Sequence, residues 1–434
     1  MTGQEKFERV VSLCKRRGFV FPGSEIYGGF ANTFDYGPLG TEVINSIKRD
    51  WWKRFVVQRP DVYGIDGGIL SNPKVWKASG HIENFTDPLV ECKKCHKRYR
   101  KDFLEQDGKD VCPECGGELT EPKMFNGMFK TFVGSTEDTS SIAYLRPETA
   151  QSIFVNFSNI LHSFSPRIPF GIAQSGKAFR NEITAGSFVH RTLEFEQMEI
   201  EYFIKEQDWK KSFESWLVAM MKFAQDLGVS KENLRVREHT DKERSHYSKR
   251  TVDIEYNHYF GWKELYGLAY RADYDLKQHS KYSGKDLSYK DPDTGVEFIP
   301  HVIEPSMGVG RTFLVVMLEA YTEDKDRVVL KLKPFLAPYK AAVFPLVRNK
   351  EELVGKARKI FMDLLDAGIY TAWDDRGNIG KRYYAQDEIG TPWCLTIDYQ
   401  TLEDDTVTIR DRDTTKQERI KISEIESYIQ NSLD

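Results

Sequence analysis

Strict alternation of apolar and polar positions marks the middle of the chain. In the stretch "FRNEITAGSFVHRTLEFEQMEIEYF" (179–203), the second half puts Phe195, Gln197 and Glu199 on one face of an extended strand and Glu196, Met198 and Ile200 on the other. The first half, with Arg180 and Glu182 two residues apart, reads as a partner strand. The gap 183–190, with Gly186 near its middle, suits a long hairpin loop. One face of the resulting sheet carries arginines, an aromatic ring and several acids. A core does not want that mixture; a binding surface does.

Elsewhere the period changes to that of a helix. "WKKSFESWLVAMMKFAQDLG" is amphipathic and stops at Gly228, and "RTFLVVMLEAY" is apolar around much of its circumference, as a buried helix would be. "TEVINSIKRDWWKRFVVQ" is helical, and "PETAQSIFVNFSNIL" reads as a helix opened by Pro147 in its first turn. After Pro334, short strands and helices alternate through "YKAAVFPLV", "KEELVGKARKIFMDLLDAG", "IYTAWDD", "KRYYAQDEIG" and "PWCLTID", which predicts an α/β domain behind the boundary "LKPFLAPYK".

Composition narrows the class. The chain has 434 residues, enough for two or three domains with real cores, and its apolar (40%) and charged (29%) fractions suit a globular protein. No run approaches the roughly 18 apolar residues of a membrane span, and "MTGQEK" has no apolar signal core, so the expectation is a cytoplasmic protein without a membrane partner. Net charge is −4, and residues 335–434 carry 14 Lys+Arg against 18 Asp+Glu, so all of the excess acid lies there and the rest is neutral. There is no basic domain, and composition alone gives no support for a nucleic-acid partner.

Four of the six cysteines fall in "CKKCHKRYRKDFLEQDGKDVCPECGG". Cys92-x2-Cys95 and Cys112-x2-Cys115 are two knuckles whose spacing matches a tetrahedral four-thiolate zinc site. A pair of disulfides is the alternative, which a cytoplasmic chain disfavours.

Known phosphate loops do not fit. "GIAQSGKA" ends in Ala where a Ser or Thr must bind magnesium, and it leads into a strand rather than a helix. "EPSMGVGRTFLVVMLEAY" offers something else: an acid, a small loop, and Arg311 at a helix start, where helix dipole and guanidinium both attract phosphate. Taken alone, such an Arg is as readily a surface residue at a Gly turn.

In combination, the Arg-x-Glu strand, the second Arg at 191, the carboxylate strand and the Gly-x-Gly-Arg helix start resemble the second and third signature motifs of class II aminoacyl-tRNA synthetases. "FDYGPLG", "VWKASGH", "YLRPETAQ", "FRNEI", "EFEQMEIEYF", "VIEPSMGVGR" and "QDEIGTP", in this order and across nearly the whole chain, are similar to the homodimeric glycyl-tRNA synthetase family. The resemblance implies an α+β fold with the class II antiparallel-sheet catalytic core and a four-cysteine zinc insert, followed by a C-terminal α/β anticodon-binding domain. Expected boundaries are 1–90 for the first part of the core and the dimer interface, 91–120 for the insert, 121–334 for the rest of the core, and 335–434 for the last domain. It implies a ligase that joins glycine to tRNA-Gly through a glycyl-adenylate, releasing pyrophosphate and then AMP.

The resemblance also implies roles for residues. Arg180 and Arg311 are the catalytic pair, Arg180 at the α-phosphate of ATP and Arg311, with Arg191, at the far end of the bent triphosphate. Glu182 reads the adenine amine and Phe195 stacks on the ring. Glu264 is a magnesium ligand, with Leu265 beside the nucleotide. The ATP site extends to Asn181, His190, Thr192, Leu193, Glu194, Gly308, Val309 and Gly310. Glycine is surrounded by Glu148, Glu199, Glu304 and Ser306, with Arg100 on the carboxylate side and Phe195, Glu196, Gln197, Met198, Pro305, Met307 and Gly308 around it. Cofactors are Mg2+ with ATP and a structural Zn2+ on Cys92, Cys95, Cys112 and Cys115. The helix through Trp51 and Trp52 is expected to form a homodimer, and Lys381, Arg382, Tyr383 and Tyr384 to face the anticodon. Where the family's hairpin reads Ile-Thr-Pro-Arg-Asn, this chain has "ITAGSFVHR", which lacks a charge expected near the tRNA acceptor end.

Overall fold

The computed structural model describes residues 1–433 apart from 107, 139, 183–185, 242 and 246, and the side chains of 103 and 106 are likewise outside the description. The first three residues of the predicted hairpin loop, 183–185, therefore lie outside the described residues.

A seven-stranded sheet organises the larger unit. Its strands are β1 (Val62–Gly64), β2 (Phe170–Phe179), β3 (Glu194–Ile204), β4 (Leu234–Glu238), β5 (Arg250–His258), β6 (Gly261–Ala272) and β7 (His301–Gly308), in the order β4-β5-β6-β7-β3-β2-β1. Every pairing is antiparallel except β1 with β2. The alternation read from β3 holds across the sheet, because the register aligns like with like: Glu199 lies opposite Ser306 on β7 and Gln174 on β2, and Met198 opposite Met307. One face is apolar. Met198, Ile200, Ile303, Met307, Tyr266, Leu268, Val252 and Ile254 form one core with Phe213, Trp216, Met220 and Phe223 of α3 (Trp209–Asp226) and with Phe313 and Met317 of α4 (Val309–Ala320), with α1 (Gly3–Arg16) and α2 (Pro38–Trp52) packed onto it. The first ninety residues thus share the core of the sheet. The opposite face is buried, polar around Gln174, Gln197, Glu199, Glu201 and Glu304, and apolar at one end, where Phe170, Ile172, Phe203 and Val302 pack against the helices of 150–164.

Four local expectations need correction. β2 stops at Phe179, so Arg180 and Glu182 lie just beyond the strand, although the Arg180 amide still donates to the Leu193 carbonyl at 2.8 Å. The helix expected from Pro147 starts at Ala150 and breaks at Asn156 into Ala150–Val155 and Phe157–Phe164. Its intended first turn is held open because the Pro147 carbonyl accepts from Arg180 and the Thr149 hydroxyl donates to Glu199. No loop precedes α4: β7 runs straight into it, with Gly308 as the N-cap. The insert is wider than 91–120, since its three-stranded sheet takes Thr86–Glu91, Arg98–Arg100 and Lys123–Asn126.

In "GPLG", Gly40 is required by packing, because a Cβ there would meet the Phe19 carbonyl oxygen at 1.9 Å. Residues 171–178, the rejected phosphate loop, lie within β2 with their backbone paired to β3.

The C-terminal unit has a five-stranded mixed sheet, β9-β8-β10-β11-β12, built from β8 (Ala341–Pro345), β9 (Thr371–Trp373), β10 (Trp393–Ile397), β11 (Thr406–Asp411) and β12 (Gln417–Lys421), with helices α5 (Glu351–Asp366) and α6 (Ile379–Ile389). It is tied to the core through Asp387 of α6, fully buried between Arg327 and Arg410, and through Glu388, which pairs with Arg16 at the end of α1 and with its C-cap Arg17. Among the described residues no helix is long and apolar enough to cross a membrane.

Candidate active site

A cleft opens on the polar face of the large sheet, and its two ends carry opposite charge. At one end are three arginines. Arg180 donates from Nε to the Pro147 carbonyl (3.0 Å) and lies over the Phe195 and Phe85 rings at 5.3 and 5.6 Å, so the guanidinium is held as a plate. Arg191 faces Glu182 at 3.8 Å across the hairpin. Arg311, in the first turn of α4, pairs with the Glu264 carboxylate at 2.9 Å. His190 lines the same end. Burial and the nearby Arg311 push its imidazole down to about 2, so a neutral ring faces the cleft, with a buried Nε2 that has no partner among the described residues.

At the other end are acids. Glu148 accepts from Gln151 (3.0 Å) and meets His81 Nε2 at 3.2 Å; burial works to raise its pKa, but His81 and Arg271 hold the carboxyl well below its ordinary range. Burial and neighbouring Glu148 raise Glu199, which takes the Thr149 hydroxyl. Glu304 pairs with Arg271, yet burial, with Glu199 and Glu148 close by, pushes its carboxyl up to about 8. Ser306 and Gln197 complete this floor, 3.4 Å apart. Buried acids at this density are costly unless a cation joins them. The geometry asks for one.

Of the residues expected at the site, the cleft is lined by Arg180, Glu182, His190, Arg191, Thr192, Phe195, Glu196, Gln197, Glu199, Glu148, Glu264, Leu265, Glu304, Ser306, Gly308, Gly310 and Arg311. Met198, Pro305 and Met307 turn the other way. They occupy the alternate positions of β3 and β7, and the two methionines are fully buried in the apolar core. Glu196 reaches the cleft margin, but its carboxylate is taken by Lys48 at 3.1 Å. Glu194 pairs with Lys177, Val309 is buried, and Asn181 and Leu193 contribute backbone hydrogen bonds to neighbouring loops. Arg100 is held by Asp87 (2.9 Å) and Asp102 (2.6 Å) in the insert, outside the lining residues. In the C-terminal unit Arg382 is buried against the Pro345 and Gly377 carbonyls and Tyr383 against Thr396, whereas Lys381 and Tyr384 are exposed.

Reading the sequence missed Arg271, Asp253 and Glu201. Arg271 is 1% exposed and makes two 2.7 Å contacts with Asp275 besides its contact with Glu304. Its signal was the alternation Gly267, Ala269, Arg271, which continues the polar face into β6. Asp253 lines the cleft opposite Gly267 and pairs with His239 at 2.7 Å.

The four insert thiols lie within 4.8 Å of one another, with Cys92–Cys115 and Cys95–Cys112 sulfurs 3.5 and 3.6 Å apart. A tetrahedron of 2.3 Å Zn–S bonds has edges of about 3.8 Å, so the set fits the ion. The Tyr99 hydroxyl, 3.4 Å from Cys112, and the Cys115 and Glu114 amides draw that thiol down to about 6 despite its burial.

With this geometry in place, comparison with known proteins is decisive. Over its whole length the chain is 49% identical to all of a glycine–tRNA ligase from Alkaliphilus oremlandii. It belongs to the glycine–tRNA ligase family. A relative of the same name from Thermobifida fusca is 50% identical, covering 99% of this chain and 98% of its own, and one from Clostridium tetani is 49% identical over all of both. Residues 132–321 match the family described as tRNA synthetase class II core domain (G, H, P, S and T), and residues 340–432 the one described as anticodon binding domain. The first match spans the cleft, from Glu148 to Arg311. The fold is therefore that of a class II core joined to an anticodon-binding domain.

Proposed function

We infer that this chain is an ATP-dependent ligase that joins glycine to tRNA-Gly in two steps, through glycyl-adenylate. The observation that carries the residue roles is the opposition, within one cleft, of three arginines to a set of buried acids. Glu148, Glu199 and Glu304 surround the glycine ammonium, with Ser306 beside them. That orientation turns the substrate carboxylate, already ionised at neutral pH, toward Arg180. Attack on the α-phosphorus forms the carboxyl–phosphate bond as the bond to pyrophosphate breaks. Arg180 neutralises the α-phosphate, and Arg311 and Arg191 hold the far end of the triphosphate. Glu182 reads the adenine amine, and Phe195 offers its ring to the base.

When bound, magnesium would be held through Glu264 and would supply charge neutralisation along the triphosphate. Glu264 is available for this when the incoming phosphates draw Arg311 away from it. No side chain has to act as nucleophile or strong base, since positioning and electrostatics suffice. In the second step a ribose hydroxyl at the tRNA 3′ end attacks the carbonyl carbon, and AMP leaves. Larger amino acids are rejected by overpacking, and no competitor is smaller than glycine, so no editing domain is required.

The remaining assignments follow from the same reading. The four insert cysteines hold a structural zinc, and Arg100, carried by that insert, serves the carboxylate side once Asp87 and Asp102 release it. Residues 1–85 complete the core and α2 forms the homodimer interface, the insert 86–126 holds the zinc, 127–334 the two substrate sites, and 335–434 read the anticodon, with Lys381 and Tyr384 at the surface of α6. The enzyme works in the cytoplasm. Glycine-dependent ATP–pyrophosphate exchange without tRNA tests the reading, with alanine, serine and proline as controls. Exchange with glycine alone is expected; no exchange with any of the four, from folded zinc-loaded protein, contradicts it.

A further inference from the structure

Behind the acidic floor lies a carboxylate that the reaction does not use. Glu201 is fully buried, two residues along β3 from Glu199 on the same face. The register that sets Glu199 opposite Ser306 and Tyr202 opposite Ile303 brings Glu201 beside Glu304. Neither of its oxygens has a hydrogen-bond partner among the described residues.

Among the described residues, three donors bonded to the acids of this cluster are committed to them and not to Glu201. Arg271 of β6 gives its guanidinium to Asp275 and Glu304. The Gln151 amide donates to Glu148 and Asp275. The Thr149 hydroxyl goes to Glu199. Among the described residues the charged groups facing Glu201 are Glu199 on its own strand, Glu304 on β7, Asp275 on the helix Tyr274–Ser283 and Arg271 on β6, while β2 sets the apolar Ile172 opposite it. A buried carboxylate anion without a donor among the described residues, beside three other acids and one guanidinium, is too costly to persist. A neutral carboxyl brings its own donor and removes one charge from the cluster.

We propose that Glu201 is a positioning residue held as a neutral carboxylic acid, whose O–H donates to Glu304 and whose missing charge matches the acidic pocket to a single ammonium. Burial and the adjoining Glu304 both favour the protonated form. The proposal rests on the reading of Glu148, Glu199 and Glu304 as the glycine site, and deepens it: glycine selectivity depends on the protonation of a residue that never touches glycine.

The test compares Glu201→Ala, Glu201→Gln and Glu148→Gln in pyrophosphate exchange at pH 7, with glycine and ATP each varied. Glu201→Ala is expected to raise the KM for glycine about tenfold and that for ATP less than about twofold, comparable to losing one buried hydrogen bond. Glu201→Gln, neutral and carrying its own donors, is expected to restore the glycine KM to within about threefold of the parent. If Gln is as damaging as Ala, or Ala has no effect, the proposal is overturned. Glu148→Gln separates the two layers of argument, because an unchanged glycine KM there would remove the glycine site itself.

Stability supplies a second readout that does not depend on activity. A carboxyl whose folded pKa is raised contributes stability fully below its unfolded value, about 4.3, and loses it as pH rises through the folded value. Glu201→Gln does not titrate. Its Tm should therefore exceed the parent's by about 2 °C at pH 8, with the gap narrowing toward pH 5. A Tm difference independent of pH, or of opposite sign, would show that Glu201 is ionised in the folded protein and overturn the proposal.

Discussion

At one end of the cleft the side chains of Arg191 and Arg311 are 34% and 24% exposed, each facing one carboxylate; at the other, Glu199 is 2% exposed and Glu201 not at all. The arginines come from a loop and a helix start, where a guanidinium can exchange a carboxylate partner for a phosphate at small cost. Glu199 and Glu304 come from the middles of β3 and β7 and are held by Thr149 and Arg271, and Glu148, just before the helix Ala150–Val155, is held by Gln151 and His81. A polyphosphate brings many charges and can displace weak partners. A glycine brings a single ammonium, so the site that selects it must already be desolvated and assembled before it arrives.

The sharpest way to break this contrast is at the cationic end. Arg180→Ala should lower the exchange rate constant by about 10^2–10^3 while the glycine KM stays within about threefold. A loss seen only in the glycine KM would assign Arg180 to the wrong substrate.

The insert gives the next largest effect. Removing metal from Cys92, Cys95, Cys112 and Cys115 should unfold the sheet around 86–126, read as new proteolytic cleavage there, and raise the glycine KM through Arg100. If chelation leaves glycine affinity unchanged, the link between zinc and Arg100 is wrong. The core should keep its own unfolding transition.

A smaller effect is a pH dependence confined to the acidic end. The Glu304 carboxyl, pushed up by burial to about 8, is protonated in the empty cleft at pH 6. An ammonium favours its ionised form, so the glycine KM should fall as pH rises from 6 to 8, by up to about tenfold per unit, with protons released on binding. Glu304→Gln should flatten that slope, and the ATP KM should show none of it.

The smallest effect lies outside the cleft. Glu388→Ala removes the partner of Arg16 and Arg17 between α1 and α6 and should cost about 1 kcal/mol or less in denaturant unfolding, with exchange unaltered.

The same contrast explains how much could be read in the chain itself. The arginine end was legible because Arg180, Arg191 and Arg311 sit in short motifs, and the faces of β3 followed from its period of two. The C-terminal order of strands and helices was equally plain as far as Ile397, whereas β11, β12 and the helix Ile425–Asn431 were not read. The start of the helix at Ala150 was not, because it depends on Arg180 and Glu199, which lie 30 to 49 residues farther on and capture Pro147 and Thr149. Arg271 and Glu201 escaped for a related reason. Their alternation is visible locally, but their importance comes from which donors on β6 and at the start of the helix Ala150–Val155 are already spent. Met198, Pro305 and Met307 were misplaced by treating a strand segment as a contiguous site when every second residue faces the core.

The most direct measurement of the central claim is pyrophosphate exchange by Glu148→Gln with glycine and ATP varied independently, on protein whose Tm shows it is folded. The account predicts a glycine KM raised about a hundredfold, as for a buried charged contact of about 3 kcal/mol, and an ATP KM within about twofold of the parent. Equal changes in both constants, or a change confined to ATP, would contradict the division of the cleft into a phosphate end and an ammonium end.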